Sequence, residues 1–271
     1  MPEGLLISTF CMVDDFCTSF EADWDKILLQ CSKHQNIKQS SRFPRLSLSE
    51  VITITILFHA SGYRTFKDYY TRYVATHWVQ YFPELVSYNR FVRLMKRIIF
   101  PMFCFLGGAL GACTGISFID STILTACPRC QITSHKVFRG CASRGKGTTG
   151  WFFGFKLHIV INHQGEIISF ALTPGNTSDV SMVKALVKKC VGLLFGDKGY
   201  ISSKVFKTLY DQGLKLITKI RSNMKNKLLP LMEKLLLKKR GLIESVNNRL
   251  KNGGQIEHHR LRSKQNLSLT C

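Results

Sequence analysis

The chain has 271 residues, of which 45% are hydrophobic and 20% are charged, so a folded core is available and global disorder is excluded. The formal net charge of +21 indicates a polyanionic partner, most often nucleic acid. Residues 116–271 hold 26 of the 38 Lys and Arg residues but only 8 of the 17 Asp and Glu residues. Each carboxylate in this basic part is therefore a candidate for a chemical role.

The ten cysteines are scattered, and the N-terminal sequence MPEGLLISTFCMVDDF lacks the basic segment of a signal peptide. We therefore predict reduced thiols in a cytoplasmic protein. The pair Cys127-Pro-Arg-Cys130 has no second Cys-x-x-Cys partner, which disfavours a zinc site.

Helices are predicted at the start of the chain. Apolar residues at helical spacing, among them Phe20 and Trp24, predict a helix over residues 17–35. Ser47 or Ser49, followed by Glu50, predicts the start of an apolar helix. Further helices are predicted from Thr65 and over Tyr88–Ile99, with either a loose helix-turn-helix or plain core helices as the interpretation.

Residues 98–119 carry no charge over a length that could span a bilayer. The segment contains Pro101 and several glycines, however, and runs directly into Asp120. It is better explained by a short buried helix, a Gly-rich turn and a core strand, with a membrane helix as the alternative.

From Ile116 onward the pattern predicts strands. A short strand in ISFIDST is followed by a hairpin over residues 151–174, and then by helix, strand, helix, strand and a long basic helix. This order predicts a mixed α/β sheet flanked by helices. The segment CASRGKGTTG, Cys141–Gly150, is interpreted as a basic Gly-rich loop that matches no phosphate-binding template.

Three carboxylates stand out in this second part. Asp120 and Asp197 follow predicted strands, and Glu244 lies on the last helix. At 100° per residue, Glu244 shares a polar stripe with other side chains of that helix. These are Arg240, Asn247, Asn248 and Lys251. Each acid taken singly is explained by a turn, a cap or an ion pair. Together they predict a site for divalent metal, because clustered carboxylates repel and a hard cation relieves the repulsion.

The segments SFIDST, GDKGY and RGLIESVNNRLKN resemble DDE-type transposases of bacterial insertion sequences, specifically the nine-eight-two family. The likeness extends over LSLSEVITITILFHASGYRTFKDYY and FKLHIVIN, and so covers most of the chain. The family's late signature is Tyr, two residues, Arg, three residues, Glu, six residues, Lys. Arg240, Glu244 and Lys251 match it, whereas Leu237 stands at the Tyr position.

The resemblance implies a ribonuclease-H-like DDE catalytic domain over residues 113–271, preceded by a small all-helical region over residues 1–112 that binds DNA ends. It implies that Asp120, Asp197 and Glu244 are the catalytic residues and the ligands of Mg²⁺ or Mn²⁺, with two ions expected.

The resemblance also implies that Arg240 and Lys251 contact DNA. Lys198 and Asn248 are further predicted DNA contacts. Lys156 shares the less apolar face of the hairpin with His158, and both are predicted to face either DNA or solvent. Asp179 is predicted as the N-cap of its helix.

The implied function is a DNA transposase that cuts element ends by metal-dependent hydrolysis and joins them to target DNA by strand transfer. The expected partners are element ends, target DNA and further copies of the chain, in a nucleoid-associated protein without a membrane or small-molecule partner. Alternatives are an inactive truncated remnant that only binds DNA, a non-catalytic DNA-binding module and a nuclease of the same fold.

Two departures from the family pattern favour impairment. One is Leu237. The other is the end of the chain, where the family's Glu-His-x-Arg-x-Arg-Ser run is matched from Glu257 to Ser263 but QNLSLTC follows instead of a further apolar helix. We therefore expect a C-terminal truncation.

Overall fold

The structure is a computed structural model that describes residues 1–32, 45–127, 129–134, 138–147, 150–219, 230–254 and 256. These residues form two compact units. One contains Met1–Ala109 with the described residues from Gly253 onward, and the other is Leu110–Asn252. Within the described ranges, no helix has both the length and the apolar character that a membrane span requires.

The first unit is helical. In chain order its elements are α1 (Glu3–Ser32), α2 (Leu48–Ala60), α3 (Phe66–Asp68), a π-helical turn (Tyr69–Val74), α4 (Ala75–His77), α5 (Tyr88–Met95) and α6 (Ile99–Gly108). Ser47 is the N-cap of α2, and its hydroxyl accepts a hydrogen bond from the N–H of Glu50, whose carboxylate accepts one from the N–H of Ser47. This capping box satisfies two donors that a helix start leaves unpaired.

Two of these helices differ from the prediction. α1 begins at Glu3 rather than near residue 17, and its early buried stripe is Leu6, Thr9, Val13 and Cys17. The polar Thr9 within that stripe obscures the apolar period. α6 is not a buried helix, because among its residues only Pro101 is buried. It packs through one side, where Phe105 contacts Phe16 edge to face.

The second unit is built on a six-stranded sheet. Its strands are β1 (Ile116–Cys127), β2 (Ser143–Gly147), β3 (Gly150–Asn162), β4 (Ile167–Pro174), β5 (Gly192–Gly196) and β6 (Leu214–Thr218). Their order is β2-β3-β1-β5-β6, with β4 beside β3 along the same edge as β2. β1 is antiparallel to β3 and parallel to β5, which is parallel to β6. The sheet is mixed and flanked by helices, which confirms the predicted α/β class.

Helices cover the sheet. They are α7 (Asp179–Leu186), α8 (Ser203–Asp211), α9 (Leu231–Lys238) and α10 (Gly241–Asn248). α7 and α8 bury Val183 and Leu209 against a core that includes Ile119 and Val160. α10 lies against β1, and α9 against β6. The predicted long basic helix is thus two helices, followed by a π-helical turn over Arg249–Gly253.

The hairpin differs from the predicted alternation. β3 is a central strand whose residues from Leu157 to Asn162 are buried on both faces, so His158 is fully buried and faces neither DNA nor solvent. The expected loop over residues 141–150 contains β2, which pairs with β3 from Ser143 to Gly147. A Cβ at Gly145 would lie 2.2 Å from the carbonyl oxygen of Gly175, so this glycine allows the strand to lie close to its neighbour.

Candidate active site

Asp120 and Asp197 lie where β1 and β5 stop pairing. Asp197 directly follows β5, as expected. Asp120 lies inside β1 rather than at its end, because pairing with β3 carries β1 on to Cys127. The pairing of β1 with β5 ends at Phe118 and Phe195, so Asp120 is open on that side. Since side chains alternate along a strand, Asp120 and Asp197 lie on the same sheet face as these two rings, which contact each other at a tilt.

Arg240 connects all three candidate carboxylates. It lies between α9 and α10, one residue before the first turn of α10. Its Nη2 is 3.4 Å from Asp120 Oδ1 and 3.5 Å from Glu244 Oε1, and its Nη1 is 3.4 Å from Asp197 Oδ1. The structure therefore brings Asp120, Asp197 and Glu244 together around one guanidinium.

The three carboxylates differ in their environment. The side chains of Arg240 and Asp120 are 11% and 19% exposed, whereas those of Asp197 and Glu244 are 51% and 63% exposed. Burial raises the pKa of Asp120 above its ordinary value. Arg240 and the backbone N–H of Ser121 act in the opposite direction, and Asp197 and Glu244 add to the increase in this pKa. Asp120 is thus the inner member of the cluster.

Asn247 is a site residue that the sequence prediction did not include. Its Nδ2 donates a hydrogen bond to Asp120 Oδ2 at 3.0 Å, and its side chain is buried. The available signal was its position on the polar stripe of Glu244. Its neighbour Asn248 was predicted instead and is exposed, where its Oδ1 accepts a hydrogen bond from Asn252.

The donor set matches a hard divalent cation, because it consists of carboxylate oxygens that already surround a positive charge. The present arrangement is wider than a coordination sphere. Among the described residues, no group of three or more His, Cys, Asp or Glu side chains is placed to hold a metal ion. Any such ion would therefore require the guanidinium of Arg240 to leave the centre of the cluster.

The predicted DNA contacts lie in different surroundings. Lys198 is exposed in the 3₁₀ turn directly after Asp197. Lys251 is half-buried in the π-helical turn after α10, where the spacing of an α-helix no longer applies. Lys156 points to the opposite sheet face from Asp120, and its Nζ donates to Asp179 Oδ1 at 3.2 Å and to the carbonyl of Thr177 at 3.1 Å.

Asp179 is the centre of a second polar cluster on that opposite face. It is not the N-cap of α7, because that position is held by Ser178. Asp179 Oδ1 accepts a hydrogen bond from Ser121 Oγ at 2.9 Å and lies 3.8 Å from His158 Nδ1. Ser121 follows Asp120 in β1, so the two clusters meet at adjacent residues of one strand.

Leu237 and the end of the chain depart from the family pattern. Leu237 is buried in α9, three residues before Arg240. The run from Glu257 to Ser263 lies outside the residues that the structure describes.

The sequence model of the family described as "Transposase DDE domain" matches residues 110–264. Among solved structures, the chain is similar to a cryo-EM structure of the piggyBac transposase synaptic complex with hairpin DNA. Identity is 13%, coverage is 70% of this chain and 46% of that chain, and the TM-score is 0.43. The chain thus spans less than half the length of the piggyBac protein. It is also similar to the crystal structure of the Mos1 strand transfer complex, with 10% identity, coverage of 89% and 87%, and a TM-score of 0.25. No curated protein sequence matches the chain.

Proposed function

The chain belongs to the transposase DDE domain family, and we propose that it cuts the ends of an insertion sequence and joins them to target DNA. The observation that carries the proposal is the convergence of Asp120, Asp197 and Glu244 on one cation. These acids come from two strands and a helix that are far apart along the chain. Three acids gathered in a protein of net charge +21 are suited to chemistry on a polyanion.

Asp120, Asp197 and Glu244 would hold Mg²⁺ or Mn²⁺, with two ions expected. Two such ions activate an attacking hydroxyl and stabilise the leaving oxygen of a phosphodiester. Asn247 would keep Asp120 oriented through its hydrogen bond to Oδ2. Arg240 would hold the carboxylates together before the metal binds and then pair with a DNA phosphate, since guanidinium pairs well with both groups.

DNA would be bound by the basic residues of the segment 116–271, whose formal net charge is +18. Lys198, Asn248 and Lys251 follow or flank the carboxylates in sequence and remain proposed DNA contacts. We propose element ends and target DNA as the substrates, several copies of the chain as the working assembly, and DNA-end binding by residues 1–112.

The test uses full-length protein with Asp120→Asn, Asp197→Asn or Glu244→Gln and a plasmid that carries the DNA flanking the gene. Each change should abolish Mn²⁺-dependent cleavage and joining while DNA affinity persists or rises, because a negative charge beside phosphate is removed. Asp211→Asn, at the exposed last residue of α8, is the control and should retain activity. DNA affinity of every variant should fall steeply with salt. Loss of binding in parallel with loss of cleavage would contradict the proposal.

An inactive copy that only binds DNA is the second candidate. Two observations favour it: Leu237 replaces the tyrosine of the family signature, and no described group of acids is yet arranged for metal. Leu237→Tyr distinguishes the two. Cleavage by the original chain supports the transposase, whereas cleavage that appears only in Leu237→Tyr supports the remnant. Cleavage without joining would indicate a nuclease.

A further inference from the structure

An exposed tryptophan and two cations meet on the hairpin of β2 and β3, apart from the carboxylate cluster. Trp151 is 54% exposed despite its large apolar side chain. The Arg144 guanidinium carbon and the Lys146 ammonium nitrogen each lie 6.0 Å from the centre of its ring. This distance is the outer limit of a cation–π contact, so neither cation is firmly committed to the ring.

The sequence of β2 produces this arrangement by alternating cations with glycines. Lys146 lies directly opposite Trp151 in the ladder, and Arg144 lies two residues away on the same side. The intervening Gly145 faces inward, where a Cβ would stand 2.2 Å from the carbonyl oxygen of Gly175. Close backbone contact thus occupies the inner side of the strand, and both positive charges are exposed on the outer side.

A cavity of about 430 Å³ opens beside the ring and is lined by Ile132, Arg144, Gly150 and Trp151. Its size is within the range of pockets that take small organic groups. The described lining residues combine a flat aromatic surface with positive charge, and none of them is an acid. Among the described residues, neither Arg144 nor Lys146 forms an ion pair with a carboxylate. A ligand that carries a flat ring next to a negative charge satisfies both features, and a nucleotide is such a ligand.

The position of the tryptophan relates it to the carboxylates. Side chains alternate along β3, so Trp151 lies on the same sheet face as Ile159, which pairs with Asp120. The eight residue steps from Trp151 to Ile159 span about 26 Å along the strand. A single DNA strand covers this distance in about eight nucleotides.

We infer that Trp151, Arg144 and Lys146 form a stacking site for an unpaired base of the DNA strand that the carboxylates act on. The indole holds the base, and the two cations hold the phosphates on either side. This inference rests on the proposed function, which supplies the DNA. It assigns a role to Arg144 and Lys146 within the segment CASRGKGTTG, which matches no phosphate-binding template.

The test measures binding of full-length protein to two probes, an oligothymidylate of about 20 nucleotides and a blunt duplex of about the same length. Trp151→Ala should weaken oligothymidylate binding at least about fivefold, the lower end of what one stacked base contributes, and duplex binding by less than about twofold. Trp151→Phe should restore most of the oligothymidylate affinity, because it restores the stacking surface. Tyr210→Ala removes another exposed aromatic side chain of the same unit, and it should change neither the oligothymidylate affinity nor the duplex affinity.

The stacking site would be overturned if Trp151→Ala lost equal affinity for both probes. It would also be overturned if the loss of oligothymidylate affinity were no larger than that of Tyr210→Ala. Those outcomes leave duplex binding and metal-dependent cleavage by the original chain intact, so they are distinct from a failure of the proposed function. Failure of the original chain to bind either probe would overturn both.

A second measurement avoids the tryptophan variants altogether. The original chain is irradiated with an oligothymidylate that contains 5-iodouracil, which crosslinks to stacked aromatic residues, and the adduct is mapped by mass spectrometry. An adduct at Trp151 is expected. Adducts confined to other aromatic residues would overturn the inference even if Trp151→Ala failed to fold.

Discussion

Asn247 Nδ2 and Asp120 Oδ2 lie 3.0 Å apart and join α10 to the central strand of the sheet. The second oxygen of the same carboxylate faces Arg240. Both oxygens of Asp120 are therefore held from α10 or from the residue preceding it. The orientation of the inner carboxylate depends on how this helix docks against β1.

Asn247→Ala should reduce the free energy of unfolding by about 1–2 kcal/mol, because it leaves a buried carboxylate oxygen without its partner. Asn248→Ala is the matched control, since Asn248 is adjacent and exposed, and its effect should stay within about 0.5 kcal/mol. Urea unfolding of both variants measures the difference. If the two changes lower the free energy of unfolding equally, the hydrogen bond from Asn247 to Asp120 does not contribute to stability.

Arg240→Ala should destabilise the metal-free protein by about 2 kcal/mol, because three carboxylates lose the cation they share. Saturating Mn²⁺ should then raise the melting temperature more in Arg240→Ala than in the original chain, since the ion no longer competes with a guanidinium.

The control for this experiment is Arg249→Ala, which removes an exposed arginine just after α10. It should respond to Mn²⁺ as the original chain does. A Mn²⁺ shift that is no larger in Arg240→Ala than in the control would refute the idea that arginine and metal compete for the same oxygens.

Lys156→Met should cost about 1–3 kcal/mol of stability, because Asp179 would lose the charge that neutralises it in a largely buried cluster. Lys198→Met makes the same change at an exposed position and should lower DNA affinity with little effect on unfolding. Chemical unfolding and DNA titration are compared for both. If Lys156→Met lowers DNA affinity while unfolding stays unchanged, Lys156 serves DNA rather than Asp179.

Stability should fall as the pH drops below about 6.5, the ordinary pKa of histidine. Burial lowers the pKa of His158, with Asp179 opposing this effect and Lys156 adding to it. The unfolded chain then takes up a proton at a higher pH than the folded chain, so acidification favours unfolding. His59, in the helical unit, has its pKa lowered by burial in the same way.

His158→Gln should therefore flatten part of the decline in melting temperature between about pH 7 and pH 5. His163→Gln, at the exposed turn between β3 and β4, is the control and should leave the decline unchanged. An identical decline in His158→Gln and the original chain would show that His158 does not contribute to the pH dependence.

Local chemistry made much of the architecture predictable. The capping box at Ser47, the apolar run before Asp197 and the turn after Asn162 each act within a few residues, so their structures could be read from neighbouring side chains. The same reasoning placed Glu244 on a helix with Arg240 one turn earlier. Element order then followed, and with it the mixed sheet.

The sequence-based predictions were wrong where a segment distant along the chain decides the local structure. Pairing with β3 extends β1 past Asp120, and close contact with Gly175 allows a glycine-rich segment to form β2. His158 lies in an alternating strand that looks half-exposed, yet β3 is buried on both faces from Leu157 to Asn162. Periodicity shows that two faces differ, but it does not show what lies against each of them.

The sequence by itself determined the order of most helices and strands, without β2, and supplied three carboxylates within a basic chain, because spacing and charge are local properties. Only the tertiary structure decided that Arg240 lies among those carboxylates, that Asn247 and not Asn248 reaches Asp120, and that Lys156 faces away from them. Those outcomes depend on how helices rotate and dock on a sheet, which is set by packing across the whole unit.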